Sequence, residues 1–145
     1  MRADSKQIHL PESYSGMKTK KVLLLEDDEL FSETIKAFLE SHFYEVVAVG
    51  NGVAGVREVM RSDFDAIICD MLMPTLPGDM FYYAVERLRP HLCPRFVFIT
   101  GLRDNAKISA FIKRVRGTML AKPFHVDDLL EVIAFIEMRF GQQRG

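Results

Sequence analysis

Val22-Leu23-Leu24-Leu25-Glu26-Asp27-Asp28 sets four apolar residues in an unbroken run and follows them at once with three carboxylates. A strand with one wet face would alternate apolar and polar residues. An unbroken run is the pattern of a strand buried on both faces, in a parallel sheet covered by helices. The three carboxylates then stand at its carboxyl end, the edge beyond which open parallel sheets hold their ligands.

The same layout recurs outward along the chain. Val46 to Val49, Ala66 to Cys69, Phe96 to Ile99 and Met119 to Ala121 are further short apolar runs, which makes five predicted strands. The segments between them have helical spacing. It rests on Phe31, Ile35, Phe38 and Leu39, then Val53, Val56, Val59 and Met60, then Phe81, Val85 and Leu88, and finally Ile108, Phe111, Ile112 and Val115. A last helix is expected from about Val126 to Phe140. Strands alternating with helices pair in parallel through right-handed crossovers, so the expected class is α/β: a doubly wound five-stranded parallel sheet in three αβα layers.

With 145 residues the chain suits one domain, expected over residues 20–140. Residues 1–19 lack helical or strand period and read as a flexible extension or a cloning remnant, and 141–145 as a tail. Lys and Arg number 19 against 20 Asp and Glu, for a formal net charge of −1. No global field draws the chain to nucleic acid or to an anionic membrane, so direct contact with either is not expected. Cys69 and Cys93 have no metal-type spacing, and Cys69 inside an apolar run reads as a buried reduced thiol, which favours the cytoplasm. No apolar stretch approaches a membrane span.

The residues just beyond the predicted strands are chemically coherent. Glu26, Asp27 and Asp28 come after the first, Asp70 after the third, Thr100 and Gly101 after the fourth, and Lys122, Pro123 and Phe124 after the fifth. Taken singly, each has an ordinary structural explanation, since acids at strand ends face water and Lys-Pro is a common way to leave a strand. Together they set carboxylates, a hydroxyl and an ammonium at one edge. Clustered carboxylates repel unless a cation offsets them, and oxygen-only donors suit a hard ion such as Mg²⁺.

The segments Val22 to Asp28, Ile68-Cys69-Asp70-Met71-Leu72-Met73-Pro74, Ile99-Thr100-Gly101 and Lys122-Pro123-Phe124 resemble the receiver domains of two-component response regulators, with a flavodoxin-like fold. Thr100 lies 30 positions after Asp70, and Lys122 lies 22 after Thr100, as in that family. The resemblance implies that Asp70 is a phosphoacceptor served by a histidine kinase or a histidine phosphotransfer protein. It further implies Mg²⁺ bound directly by Asp27 and through water by Glu26, with Asp70 and the Leu72 backbone carbonyl as further ligands. Thr100 would be the switch hydroxyl, and Lys122 the ammonium that pairs first with Asp70 and then with the phosphoryl oxygens. Asp28 is expected to be an exposed neighbour. Such roles agree with the chemistry, because phosphoryl transfer mainly needs an in-line nucleophile and neutralised equatorial oxygens. A cis Lys122-Pro123 bond would aim the ammonium inward.

Two features depart from the resemblance. Receivers commonly place Tyr or Phe three residues before the lysine, as part of the switch, and this chain has Met119. In the last helix Leu129, Ile133, Ile136 and Phe140 form one inward stripe, while Val132, Phe135 and Met138 fall largely outside it. These three are either a partner or homodimer surface, or part of a broad core face. Met71, Met73, Met80, Tyr82 and Tyr83 are read as packing, and none of the four histidines as a ligand or phosphocarrier.

Three alternatives stand beside the receiver reading. Phosphatases of the haloacid-dehalogenase type also use an aspartyl-phosphate and Mg²⁺, but they carry an acid two positions after the nucleophile, where this chain has Leu72. Turnover of an external substrate is therefore not expected, only self-catalysed phosphotransfer and autodephosphorylation. A degenerate receiver used purely for protein binding would not need Glu26, Asp27, Asp70, Thr100 and Lys122 together. Whether the chain stands alone or is cut from a larger regulator or hybrid kinase is left open.

Overall fold

A computed structural model describes residues 19–102 and 104–140. The expectations for residues 1–18 and for the tail at 141–145 lie outside the described residues. The chain runs β1 (Lys21–Leu25), α1 (Glu29–Glu40), β2 (Glu45–Val49), α2 (Gly52–Arg61), β3 (Ala66–Asp70) and α3 (Gly78–Leu88). A 3₁₀ helix (Pro90–Arg95) then leads to β4 (Phe96–Thr100), α4 (Ala106–Val115), β5 (Thr118–Ala121) and α5 (Val126–Phe140). All strand pairs are parallel, in the order β2-β1-β3-β4-β5.

Alternation along the strands divides the apolar runs between two cores. Leu23, Leu25, Ile67, Cys69, Phe96 and Phe98 pack with Val59, Phe81 and Phe111, under α2, α3 and α4. Val22, Leu24, Ile68, Val97 and Ile99 pack with Ile35, Leu39, Leu129 and Ile133, under α1 and α5. Because β3 and β4 are buried at every position, neither tolerates a polar residue before its carboxyl end. Full burial of one such side chain stabilises by about 1.5–3 kcal/mol.

Short polar side chains start three of the helices. Asp28 caps α1, Asn51 caps α2 and Asn105 caps α4, each accepting from backbone N–H groups of the first turn. Each cap contributes about 1 kcal/mol. Asp28 is thus exposed, as expected, and also fixes where α1 begins.

Several helix faces differ from the sequence expectation. In α2, Val53 and Met60 are exposed, and the buried stripe is Gly52, Gly55 and Val59. The reason is close approach: a Cβ at Gly55 would stand 2.6 Å from Leu25 and 2.8 Å from Phe81. In α3, Leu88 is exposed and Tyr82 is buried. In α5, Val132 packs against the α1 and α5 core rather than lying outside it. It falls three positions after Leu129 and four before Ile136, which puts it on the edge of their stripe. Phe135 and Met138 remain exposed. No described helix is long and apolar enough to cross a membrane.

Candidate functional site

The register of the sheet brings the polar strand ends to one edge. Leu25 is paired with Cys69, Asp70 with Ile99, and Thr100 with Ala121, so Glu26, Asp70, Thr100 and Lys122 emerge side by side. Carboxylate oxygens of Glu26, Asp27 and Asp70 all lie within 4.8 Å of one another. Glu26 and Asp70 are buried, and Asp27 is exposed. Lys122 Nζ donates to Glu26 Oε1 at 3.1 Å and to Asp70 Oδ2 at 3.3 Å.

Two of the carboxylates are held from a second side. Glu26 Oε2 accepts the Asp28 N–H at 3.0 Å, and Asp70 Oδ1 accepts the Leu72 N–H at 3.1 Å. Burial pushes the Glu26 carboxyl above its ordinary value, and the Asp70 charge adds to this against the pull of the Asp28 N–H and Lys122. At Lys122 burial opposes the charge, but Asp70 and Glu26 outweigh it and hold the ammonium above the usual lysine value.

Aromatic rings steady the lysine. Its Nζ lies 4.7 Å from the centroid of the Phe31 ring, and Phe31 meets Phe124 edge to face at 5.9 Å. The Lys122-Pro123 peptide is cis. In the sequence Phe31 reads only as a helix marker. Its role at the site depends on the first turn of α1 folding back beside the end of β5, and local spacing carries no signal of that.

The segment after Asp70 is wound tightly. Thr75 and Leu76 have positive φ, 61° and 92°, a region that costs residues with a Cβ roughly 1–2 kcal/mol. The Gly78 N–H donates to Met71 O at 3.2 Å, and a Cβ at Gly78 would stand 2.7 Å from the Asp70 carbonyl oxygen. Only glycine lets α3 begin so close to Asp70. Met71 and Met73 are buried beneath this turn, while Leu72 and Met80 face outward. Cys69, fully buried behind Asp70, has its thiol pushed well up by burial and then by the Asp70 charge.

Thr100 is fully buried, and its hydroxyl accepts the Leu102 N–H at 2.9 Å. Met119 is partnered with Phe98 across the sheet and lines a groove against α4 with Ile112.

The profile of the response regulator receiver domain matches residues 22–134. This chain belongs to that family. Receiver domains of two-component systems are signalling modules, and the chain shares their fold as well as their sequence pattern. It is 33% identical over 110 residues to the transcriptional regulatory protein CrdR of Helicobacter pylori, across 76% of this chain and 51% of that one. The chain thus spans about half the length of that relative. Among solved structures, a CheY-like receiver domain protein of Methanospirillum hungatei superposes with a TM-score of 0.80 at 23% identity, over 88% of this chain and 100% of that one. The receiver domain of the sensor histidine kinase PA1611 of Pseudomonas aeruginosa, solved with magnesium in its active site cleft, gives 0.72 at 24%, over 86% and 99%.

Proposed function

We propose that the chain is a phosphoacceptor: Asp70 takes a phosphoryl group from the phosphohistidine of a histidine kinase or a histidine phosphotransfer protein, with Mg²⁺ bound beside it. One observation carries the reading. Three carboxylates, two of them buried, converge on a single space that one ammonium enters. Burying like charges together is costly, so a further cation is the natural complement.

The donor set fits a hard divalent ion. Asp27, the exposed member, would bind it directly, with Asp70 and the Leu72 backbone carbonyl, and Glu26 would hold it through water. When bound, the ion neutralises charge on the phosphoryl oxygens.

The chain's own residues supply the rest. Asp70 Oδ1 is oriented by the Leu72 N–H, and Lys122 holds Oδ2, which fixes the nucleophile before the donor arrives. The incoming oxygens then meet an ammonium already in place, so little reorganises during transfer. Thr100 is the hydroxyl that would leave Leu102 for the new oxygens, and Met119 is the neighbour whose packing would respond. Output is a change of protein contact, with exposed Phe135 and Met138 on α5 as its candidate surface. The reading places the domain in the cytoplasm, where its donors act.

Intact-mass spectrometry after treatment with acetyl phosphate tests the proposal. Wild type gains one phosphoryl mass only when Mg²⁺ is present, and Asp70→Asn gains none. Equal labelling of the variant would move the acceptor elsewhere.

A further inference from the structure

The contacts around Lys122 close into a circuit that runs through the start of α1. Glu26 Oε1 accepts from the ammonium at 3.1 Å, and the other oxygen of the same carboxylate accepts the Asp28 N–H at 3.0 Å. The Asp28 carboxylate in turn accepts the Phe31 N–H at 3.1 Å, and the centroid of the Phe31 ring lies 4.7 Å from the ammonium. The ring is also fixed from outside this circuit. Phe31 and Phe124 meet edge to face, and both pack on the core under α1 and α5.

Phosphoryl transfer affects these contacts unequally. An ammonium has three N–H donors, and Lys122 gives one to Glu26 and another to Asp70. Both bonds must loosen when phosphoryl oxygens arrive and compete for the same donors. The ring takes no donor. A cation is drawn to an aromatic face by the ring's quadrupole, without an acceptor atom, so this contact survives the exchange of partners. It also opposes the rotamer freedom of a long side chain that is 29% exposed.

We infer, resting on the phosphoacceptor reading, that Phe31 is a positioning residue for phosphoryl transfer: its π face keeps the Lys122 ammonium at Asp70 while the carboxylates give up their hydrogen bonds to the phosphoryl oxygens. Phe31 acts through Lys122 and touches neither the donor nor the ion. A ring that served packing alone would act by its shape. One that holds a cation acts by the negative charge of its face, and fluorine separates the two because it withdraws that charge and changes the shape little.

The test places 4-fluoro-, 3,5-difluoro- and 3,4,5-trifluorophenylalanine at position 31 of the full chain and follows labelling of Asp70 by acetyl phosphate with Mg²⁺, by intact mass. The initial rate per folded molecule should fall with each added fluorine, by about three- to fivefold for the trifluoro ring. Phe31→Leu should lose as much, and Phe31→Tyr, which keeps a π face, should recover the rate to within about twofold of wild type. In parallel, the ε-CH₂ protons of Lys122 should carry a ring-current shift that Phe31→Leu abolishes, a readout that needs neither Mg²⁺ nor phosphate. A rate that ignores the fluorine count, or Lys122 protons that Phe31→Leu leaves unmoved, overturns the role of the ring and leaves Asp70 as the acceptor. Wild type that gains no phosphate on Asp70 overturns the phosphoacceptor reading itself, and the role of Phe31 with it.

Discussion

At the carboxyl end of the sheet Glu26, Asp27 and Asp70 cluster, and the Lys122 ammonium pairs with Glu26 and Asp70. At the amino end the buried guanidinium of Arg95 donates to the carbonyls of Phe64 and Phe140, at 2.8 and 3.3 Å, with Asp63 at 3.6 Å. Arg89 likewise donates to Val59 O at 2.8 Å and lies 3.7 Å from Asp63, which also receives His91 at 2.7 Å. Both ends bury charge, but the amino end meets most of it with directional bonds, Arg95 Nε being left without a hydrogen-bond partner among the described residues; they include the last carbonyl of α5, where a cation is favoured. The carboxyl end instead gathers like charges and leaves one of them open to solvent. Charge that is satisfied holds the layers together, and charge that is left in excess is available to an ion and a phosphoryl group.

That contrast fails if removing the lone ammonium proves harmless to chemistry. Lys122→Met should slow labelling by acetyl phosphate about 100- to 1000-fold, because a fixed cation at developing charge is lost. A time course by intact mass measures it, and a loss below about tenfold would show that the ammonium is only structural. The reverse holds at the other end. Arg95→Met should lower the unfolding free energy by about 3 kcal/mol in urea melts, since two carbonyls lose their donor and Asp63 keeps only Arg89 and His91 of its three basic neighbours. Acceptor chemistry of the folded fraction should stay at the wild-type rate, and a slower rate would couple the two ends.

The sequence discloses these two ends unequally. Unbroken apolar runs ending in carboxylates, hydroxyl and lysine make the strands, their parallel pairing and the members of the acidic cluster legible, because each signal is local to one strand end. Helix faces built from glycine are not legible in this way: Gly52 and Gly55 bury α2 by lacking a side chain, whereas Val53 and Met60, which look like core, are exposed. Arg95 escapes a sequence reading because a buried arginine is recognised only through partners that are 31 and 45 residues away. Phe31 and Asp28 are half legible for the same reason. Their contacts with Lys122 and with the first turn of α1 belong to tertiary packing and to cap geometry, not to apolar spacing.

Within the acidic end itself the adjacent acids can be told apart. Asp27 belongs to the cluster of carboxylates, whereas Asp28 accepts the Phe31 N–H at 3.1 Å as the cap of α1. Asp27→Asn should weaken Mg²⁺ by about tenfold or more, followed by chemical shifts of the Leu72 amide during titration. Asp28→Ala should leave Mg²⁺ affinity within about twofold and cost about 1 kcal/mol of stability. Equal losses of affinity would merge the two roles and dissolve the distinction between ligand and cap.

The smallest effect is expected at Glu137, where the amino end departs from its own rule. The carboxyl accepts from the Tyr44 hydroxyl, yet its Oε2 has no hydrogen-bond partner among the described residues. Burial raises its pKa above the ordinary glutamate value, and the Tyr44 bond and the Lys20 charge offset this only in part. The folded protein therefore holds this proton more tightly than the unfolded chain does. Stability from the protonated form is fully present below the unfolded pKa and is lost as pH rises through the higher folded value. At neutral pH the ionised group is a net cost, discounted because the side chain is only half-buried. Glu137→Gln keeps an acceptor for Tyr44 and removes the charge, so it should stabilise at pH 7 by less than about 1 kcal/mol. That gain should vanish near about pH 4, where wild-type Glu137 is itself largely protonated. Urea midpoints at the two pH values measure the difference. Destabilisation by the variant at pH 7 would instead mean that the Glu137 carboxylate is satisfied as an ion, and that the amino end obeys its rule there as well.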